Sequence, residues 1–341
     1  MYNEFMVLAG SRRGLILASA EAAAWKMGGM HMIKKEELYF DSRDNVNRIH
    51  AMKWIPDTEK PVCILQIIHG MAEYIERYDE FARFMAEKGI LVVGEDHLGH
   101  GRSVGENGTY GYFCERDAAT VVVRDAHRLK KMVQEQYPGV PYFILGHSMG
   151  SFILRNYLCR YGTGIHAAVV VGTGMQPKIA LVMGKALLAV QKVFAGSKHP
   201  SNLMNVLSFG SYNKRIPESK TQMDWLTKDE KIVDAYLEDP LCGFTFTVNG
   251  FQTLMELVNR LHKRENLEKM PKELPVFFVA GAEDPVGDYG RGVKRAYQSF
   301  LDVGMKNVKM KLYENDRHEL LNEMDREQVY EDIYQWISSV L

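Results

Sequence analysis

Short apolar runs alternate with longer amphipathic segments along most of the chain. Val62-Cys63-Ile64-Leu65-Gln66-Ile67-Ile68 is nearly all apolar, and Leu91–Val93, Tyr142–Leu145, Ala167–Val171 and Val276–Val279 repeat its character. Runs of this length and composition are expected for strands buried on both faces. The segments at about 76–88, 117–136, 149–161, 290–303 and 325–339 instead carry apolar residues at helical spacing. Strand, helix, strand in this rhythm predicts an α/β fold with a mainly parallel sheet flanked by helices. Val308–Tyr313 adds a last strand. Upstream, Glu37–Phe40 and Arg48–Ile55 read as two strands joined across Asp41-Ser42-Arg43-Asp44-Asn45, which predicts an antiparallel hairpin.

One stretch breaks the alternation. Residues 173–272 hold helical segments but no convincing strand, and the strand rhythm resumes after Pro275. This divides the chain into an extension at 1–32, a first core part at 33–172, a helical cap or lid at 173–272 and a second core part at 273–341. Within the cap, the only charges between Pro177 and Phe194 are Lys178, Lys185 and Lys192, whose spacing of seven places them on one helical stripe. So narrow a polar stripe predicts that the helix buries a wide apolar face. Part of that face, including Met183 and Leu187, is expected to line an acyl-chain tunnel or to touch a lipid surface.

Composition narrows the function. The 341 residues carry 42 Lys and Arg against 43 Asp and Glu, a net charge of −1 that lacks the basic excess of a nucleic-acid binder. Hydrophobic residues make up 46% of the chain, enough for a packed core, yet no apolar run reaches the length of a membrane span. Cys63, Cys114, Cys159 and Cys242 are widely separated with no C-x-x-C pair, so free thiols in a reducing, cytoplasmic setting are expected. Ser11-Arg12-Arg13-Gly14-Leu15-Ile16-Leu17 resembles a twin-arginine export signal, but its apolar stretch is interrupted at Glu21 and is too short to favour export.

The candidate chemistry centres on Gly146-His147-Ser148-Met149-Gly150. It follows an apolar strand and opens a helical segment, as a nucleophile elbow requires. Chance alone gives about 0.1 occurrences of G-x-S-x-G in such a chain, so the junction carries more weight than the motif. A serine needs a base, and the base an orienting carboxylate. These are expected after later strands, in the chain order Ser, acid, His. His318 is the only histidine downstream of His262, and Asp284 is the preferred acid, with Glu283 as the outside candidate. Backbone N–H groups of Met149 and Met71 are the candidate oxyanion donors. His69 is expected to brace the loop beneath the site. Asp96, His97 and His100 also read as a hydrogen-bonded loop, with no metal expected.

Taken together, His69-Gly70-Met71-Ala72-Glu73-Tyr74 with Arg77-Tyr78, Asp96 through Ser103, and Gly146 through Gly150 resemble the monoacylglycerol lipase and bacterial lysophospholipase branch of the α/β-hydrolase family. The similarity covers about residues 35–340, including cap segments Tyr212-Asn213-Lys214 and Asp239-Pro240-Leu241-Cys242. It implies an α/β-hydrolase fold, a Ser148–Asp284–His318 triad, an oxyanion hole at Met71 and Met149, and hydrolysis of single-chain lipid esters without a cofactor. Tyr74 departs from the histidine common in the family, near the entrance, where it bears on substrate binding. A lipid or small ester substrate, no nucleic acid, and transient membrane contact through the cap complete the expectation. An aryl (hydroxycinnamoyl) esterase, a cap-bearing aminopeptidase and a non-catalytic member of the fold are the rivals. Dehalogenases and epoxide hydrolases are excluded because they place Asp at the elbow.

Overall fold

The computed structural model describes residues 33–341. The expected extension at 1–32 and its twin-arginine-like segment lie outside the described residues. Eight strands form one sheet in the order β1-β2-β4-β3-β5-β6-β7-β8. They are β1 (Lys34–Asp41), β2 (Arg48–Ile55), β3 (Ile64–Ile68), β4 (Leu91–Glu95), β5 (Tyr142–His147), β6 (Ala167–Val171), β7 (Val276–Gly281) and β8 (Val308–Tyr313). β1 and β2 form the expected hairpin and β2 pairs antiparallel with β4, whereas every pair from β4 to β8 is parallel. The first strand is longer than the apolar pattern predicted. As an edge strand it tolerates charge, and Lys35 is paired with Glu76 and Asp79 across the surface.

Helices cover both faces. α1 (Asp79–Glu87) lies on one side. On the other are α2 (Ala118–Gln136) and α3 (Met149–Tyr161), the latter leading out of β5. The cap supplies α4 (Lys178–Ala195), α5 (Asn202–Phe209), α6 (Glu230–Glu238) and α7 (Val248–Leu261), and the chain ends with α8 (Arg291–Leu301) and α9 (Arg326–Val340). Phe81, Met85, Trp336 and Ile337 fill the core under α1 and α9, while Leu129, Ile153, Phe278 and Phe300 belong to the core on the opposite face. The segment expected as one helix at 76–88 is split into a 3-10 turn, Ile75–Tyr78, and α1. The turn forms because the Ile75 N–H is drawn to Asp96 Oδ1 at 2.8 Å.

Residues between β6 and β7 are mostly helical, and among the described residues one isolated bridge joins Pro200 and Thr247. The first of these helices corrects one expectation. α4 buries only the ridge Leu181, Gly184 and Leu188, with Leu187 half-buried beside it. Gly184 on this ridge lies against the end of the Met255 side chain of α7. The rest of the apolar face is open. No helix among the described residues is long and apolar enough to cross a membrane.

Strand order reverses around β3, which passes chain to β4 on one side and lies against β5 on the other. A crevice therefore opens at the carboxyl ends of β3 and β5, where parallel sheets collect their ligands. Beneath the sheet, Gln66 bridges Glu95 at 3.2 Å and the Ala126 carbonyl at 3.0 Å, and accepts from the Tyr142 hydroxyl at 2.7 Å. Burial, followed by the nearby Asp125 carboxylate, pushes the Glu95 carboxyl up to about 8. The unfolded chain binds that proton only near the ordinary value of 4.5. The stabilisation from neutral Glu95 is thus complete below the unfolded value and is lost as pH rises through the folded one. Glu95→Gln cannot ionise and removes this loss. Urea midpoints should match wild type near about pH 5 and exceed it by a growing margin towards about pH 8.5. A constant offset across that range would contradict a neutral Glu95.

Candidate active site

β5 ends at His147 and α3 begins at Met149, which leaves Ser148 alone on the turn with φ 54° and ψ −119°. That backbone is strained for a residue with a side chain, and close packing holds it. A Cβ at Gly150 would lie 2.0 Å from the Ile68 carbonyl oxygen, and one at Gly146 would lie 2.4 Å from the Gly150 carbonyl oxygen. The Ser148 N–H is tied to the Val171 carbonyl at 3.1 Å, and the Ser151 hydroxyl donates to the Ser148 carbonyl at 2.5 Å. The turn lifts the Ser148 hydroxyl above the sheet at the N-terminus of a 13-residue helix.

The loops after β7 and β8 meet this hydroxyl. His318 Nε2 lies 2.8 Å from Ser148 Oγ, and His318 Nδ1 lies 3.0 Å from Asp284 Oδ2. A carboxylate only accepts, so Nδ1 donates and Nε2 is left to accept the serine proton. Asp284 is 0% exposed, and its second oxygen takes the Val286 N–H at 2.8 Å. Glu283, the outside candidate, turns away to Lys228 at 2.9 Å. Its backbone N–H donates to the Asp316 carbonyl, which knits the acid loop to the histidine loop.

The loop after β3 carries Gly70, Met71 and Ala72. Met71 is partly buried against the core. Among the described residues, neither the Met71 N–H nor the Met149 N–H finds a protein acceptor. His69 Nδ1 bonds the Gly70 carbonyl at 2.8 Å and His69 Nε2 accepts the His97 N–H at 3.0 Å, the bracing role expected of it. Burial holds His69, His97 and His100 below the ordinary histidine value, His97 at about 4 and His100 at about 3. Asp96 accepts from Ile75 and Arg102 backbone groups and contacts His50, so these residues brace loops. No metal-holding group of His, Cys, Asp or Glu occurs among the described residues.

The cap closes over the site through contacts that sequence reasoning missed. The Trp225 ring lies 5.2 Å from that of His318, and Phe209 and Tyr212 pack against Trp225. The Trp225 and Leu226 carbonyls accept the His318 and Glu319 N–H groups at 3.4 and 2.7 Å. On the opposite side, the Ala72 carbonyl accepts from Gly243 N–H at 3.0 Å and Tyr236 hydroxyl at 3.1 Å. Tyr74 is part of this seam, since its hydroxyl donates to Asp239 at 2.8 Å. Nothing in the periodicity of the cap marks Trp225, because aromatic residues in helical stretches are ordinary core. Met183 is not brought to the site. It is 66% exposed, on the outward side of α4.

Known proteins resemble this arrangement along most of its length. A monoglyceride lipase homolog of Monkeypox virus is 30% identical over 297 residues, which span 85% of this chain and 94% of the viral protein. The monoacylglycerol lipase of Mycolicibacterium smegmatis is 29% identical, over 84% of this chain and 92% of its own. Among solved structures, a thermostable carboxyl esterase from Bacillus coagulans in complex with glycerol superposes with TM-score 0.83 at 31% identity, covering 91% of this chain and 99% of that one. A family model described as serine aminopeptidase, S33, matches residues 59–325. With that match spanning well over half its length, the chain belongs to this α/β-hydrolase family.

Proposed function

We propose that the chain hydrolyses carboxylic esters of single-chain lipids, of the monoacylglycerol or lysophospholipid type, through an acyl-enzyme at Ser148. The observation that carries this reading is the unbroken hydrogen-bonded line from Ser148 Oγ through His318 to buried Asp284. His318 Nε2 takes the hydroxyl proton as Ser148 Oγ attacks the ester carbonyl carbon. The carbonyl oxygen becomes an oxyanion, received by the Met71 and Met149 N–H groups. Collapse breaks the bond to the alcohol, whose oxygen takes the proton back from His318. Water then repeats the sequence, releases the acid and frees Ser148.

An ester substrate suits the site better than a peptide with a free amino terminus. Recognition of an ammonium group needs an available carboxylate, and the acidic side chains nearest the oxyanion loop are spent on internal partners. Glu73 and Glu319 bind Arg77, and Asp239 binds Tyr74. Trp225, Tyr212 and Phe209 give the site an aromatic wall, which favours a second reading, a hydroxycinnamoyl-type aryl ester. Ser148→Ala should abolish labelling by a fluorophosphonate probe and lower kcat by at least about 10^4-fold. Preserved labelling would remove Ser148 from the role. On a graded ester panel, kcat/KM should rise with acyl length and exceed that on a hydroxycinnamate ester; the reverse order would favour the second reading.

The open face of α4 supports delivery from a lipid surface. Ile179, Val182, Met183, Val190, Val193 and Phe194 are exposed on one side of the helix, Phe194 at 86%, and α5 adds exposed Leu203, Val206 and Leu207. Exposed Lys178 and Lys192 lie at its two ends, where they can meet headgroups. Val193→Asp with Phe194→Asp should weaken co-sedimentation with phosphatidylcholine vesicles by roughly tenfold or more, since each change sets a charge into a face built for hydrocarbon. Turnover of a soluble short-chain ester should be unchanged. Undiminished vesicle binding would exclude this face.

A further inference from the structure

Behind Ser148 and His318 lies a buried charge cluster that the reaction scheme does not use. His147, the residue before the serine, is buried, and its ring centroid is 4.9 Å from that of His318. His147 Nε2 lies 3.3 Å from the His318 carbonyl oxygen. His147 Nδ1 lies 3.0 Å from the Tyr78 hydroxyl and 3.4 Å from Glu73 Oε1. The proton positions follow from the acceptors that these partners present. A carbonyl oxygen only accepts, so Nε2 donates. Tyr78 has one proton and gives it to Glu73 Oε1 at 2.8 Å, so towards His147 both the hydroxyl and the carboxylate present lone pairs. Nδ1 therefore donates as well. An imidazole that donates from both nitrogens carries a positive charge.

The charge count agrees. Arg77 binds Glu73 at 2.7 Å and grips Glu319 with two bonds of 2.8 Å. One guanidinium faces two buried carboxylates, and the remaining negative charge needs a cation in contact. Burial opposes protonation of His147, but the hydrogen bond and charge of Glu73, then the charge of Glu319, outweigh it and raise the pKa. Glu73 itself, against the cost of burial, is held well below the usual carboxylate range by His147 and Arg77.

We propose that His147 is a standing imidazolium that holds the oxyanion loop and the His318 backbone in register. The proposal rests on the reading of His318 as the general base. At one end the cation grips Glu73, whose Oε1 also takes the Gly70 N–H at 2.5 Å and so fixes the residue before Met71. At the other end it holds the carbonyl of His318. The charges facing His318 are then Asp284 at Nδ1 and His147 from the end of β5. The Glu319 charge is turned into Arg77, and Trp225 on the cap side is neutral. His147 touches no substrate and is a positioning residue.

Nitrogen-15 NMR of histidine-labelled wild-type protein tests the charge without any substitution. The expected result is two protonated ring nitrogens on His147 at neutral pH; a neutral His147 tautomer overturns the proposal. Glu73→Gln should release that proton, so that His147 reads as neutral at the same pH, and a His147 that stays charged also counts against it. For His147→Gln, which keeps a donor but carries no charge, kcat on a soluble ester should fall several-fold with KM little changed; an unchanged kcat would overturn the positioning role. Wild-type labelling by a fluorophosphonate separates the two levels: its absence sinks the esterase reading, whereas labelling with a neutral His147 sinks only this inference.

Discussion

The closeness of α3 to the end of β3 is the constraint on which the site depends. Gly150 sits so near the Ile68 carbonyl that no side chain fits there, and the chain can leave β5 for α3 only by a turn that puts Ser148 at positive φ. That strain is tolerated because the sheet and helix around it are deeply packed. The same contact sets the spacing between the two backbone donors, since Met71 follows β3 and Met149 opens α3. One close approach thus lifts the hydroxyl, exposes the first N–H of a helix and places the second donor across from it.

Most of this frame is legible in the sequence because its causes are local. An apolar strand, a small-x-Ser-x-small turn and a helical period need no distant partner to be recognised, and the order of acid and histidine follows from strand ends. Asp284 was separable from Glu283 only in the fold, where one is buried against His318 and the other pairs with Lys228 at the surface. The face of α4 was misread for a physical reason. Periodicity reports which residues share a side, but how much of that side is covered depends on the neighbour, and only the ridge Leu181, Gly184 and Leu188 is buried. Trp225 was invisible for the converse reason, since its role arises from a loop folding back over His318 across nearly a hundred residues of chain.

The buried ionisable groups sort into two populations with opposite consequences. His69, His97 and His100 are kept neutral by burial without a carboxylate in direct contact, so they favour the folded state least in acid, when the unfolded chain takes up their protons. Glu95 and Asp125, raised to about 8 and about 6, weaken the fold as pH rises instead. His147, at the end of β5, belongs to neither population, because its ring faces a carboxylate and a carbonyl at once. Similar burial thus leaves one histidine charged and its neighbours neutral, and the hydrogen-bond acceptors around each ring decide which.

The cap combines an anchored half with an open one. From Met223 to Gly243 its backbone and side chains are tied to the histidine loop through Trp225, Leu226 and Thr227 and to the oxyanion loop through Tyr236 and Gly243. These bonds run to the two segments that must hold still during catalysis, so this half is in effect part of the active-site wall. α4 instead buries only a narrow ridge, with most of its apolar area facing outwards, while α5 is joined to the anchored half through Phe209 stacked on Trp225. A cap that moved as one body would have to break the bonds that set the His318 loop. The outward apolar face of α4, which a lipid surface can reach, takes no part in those bonds.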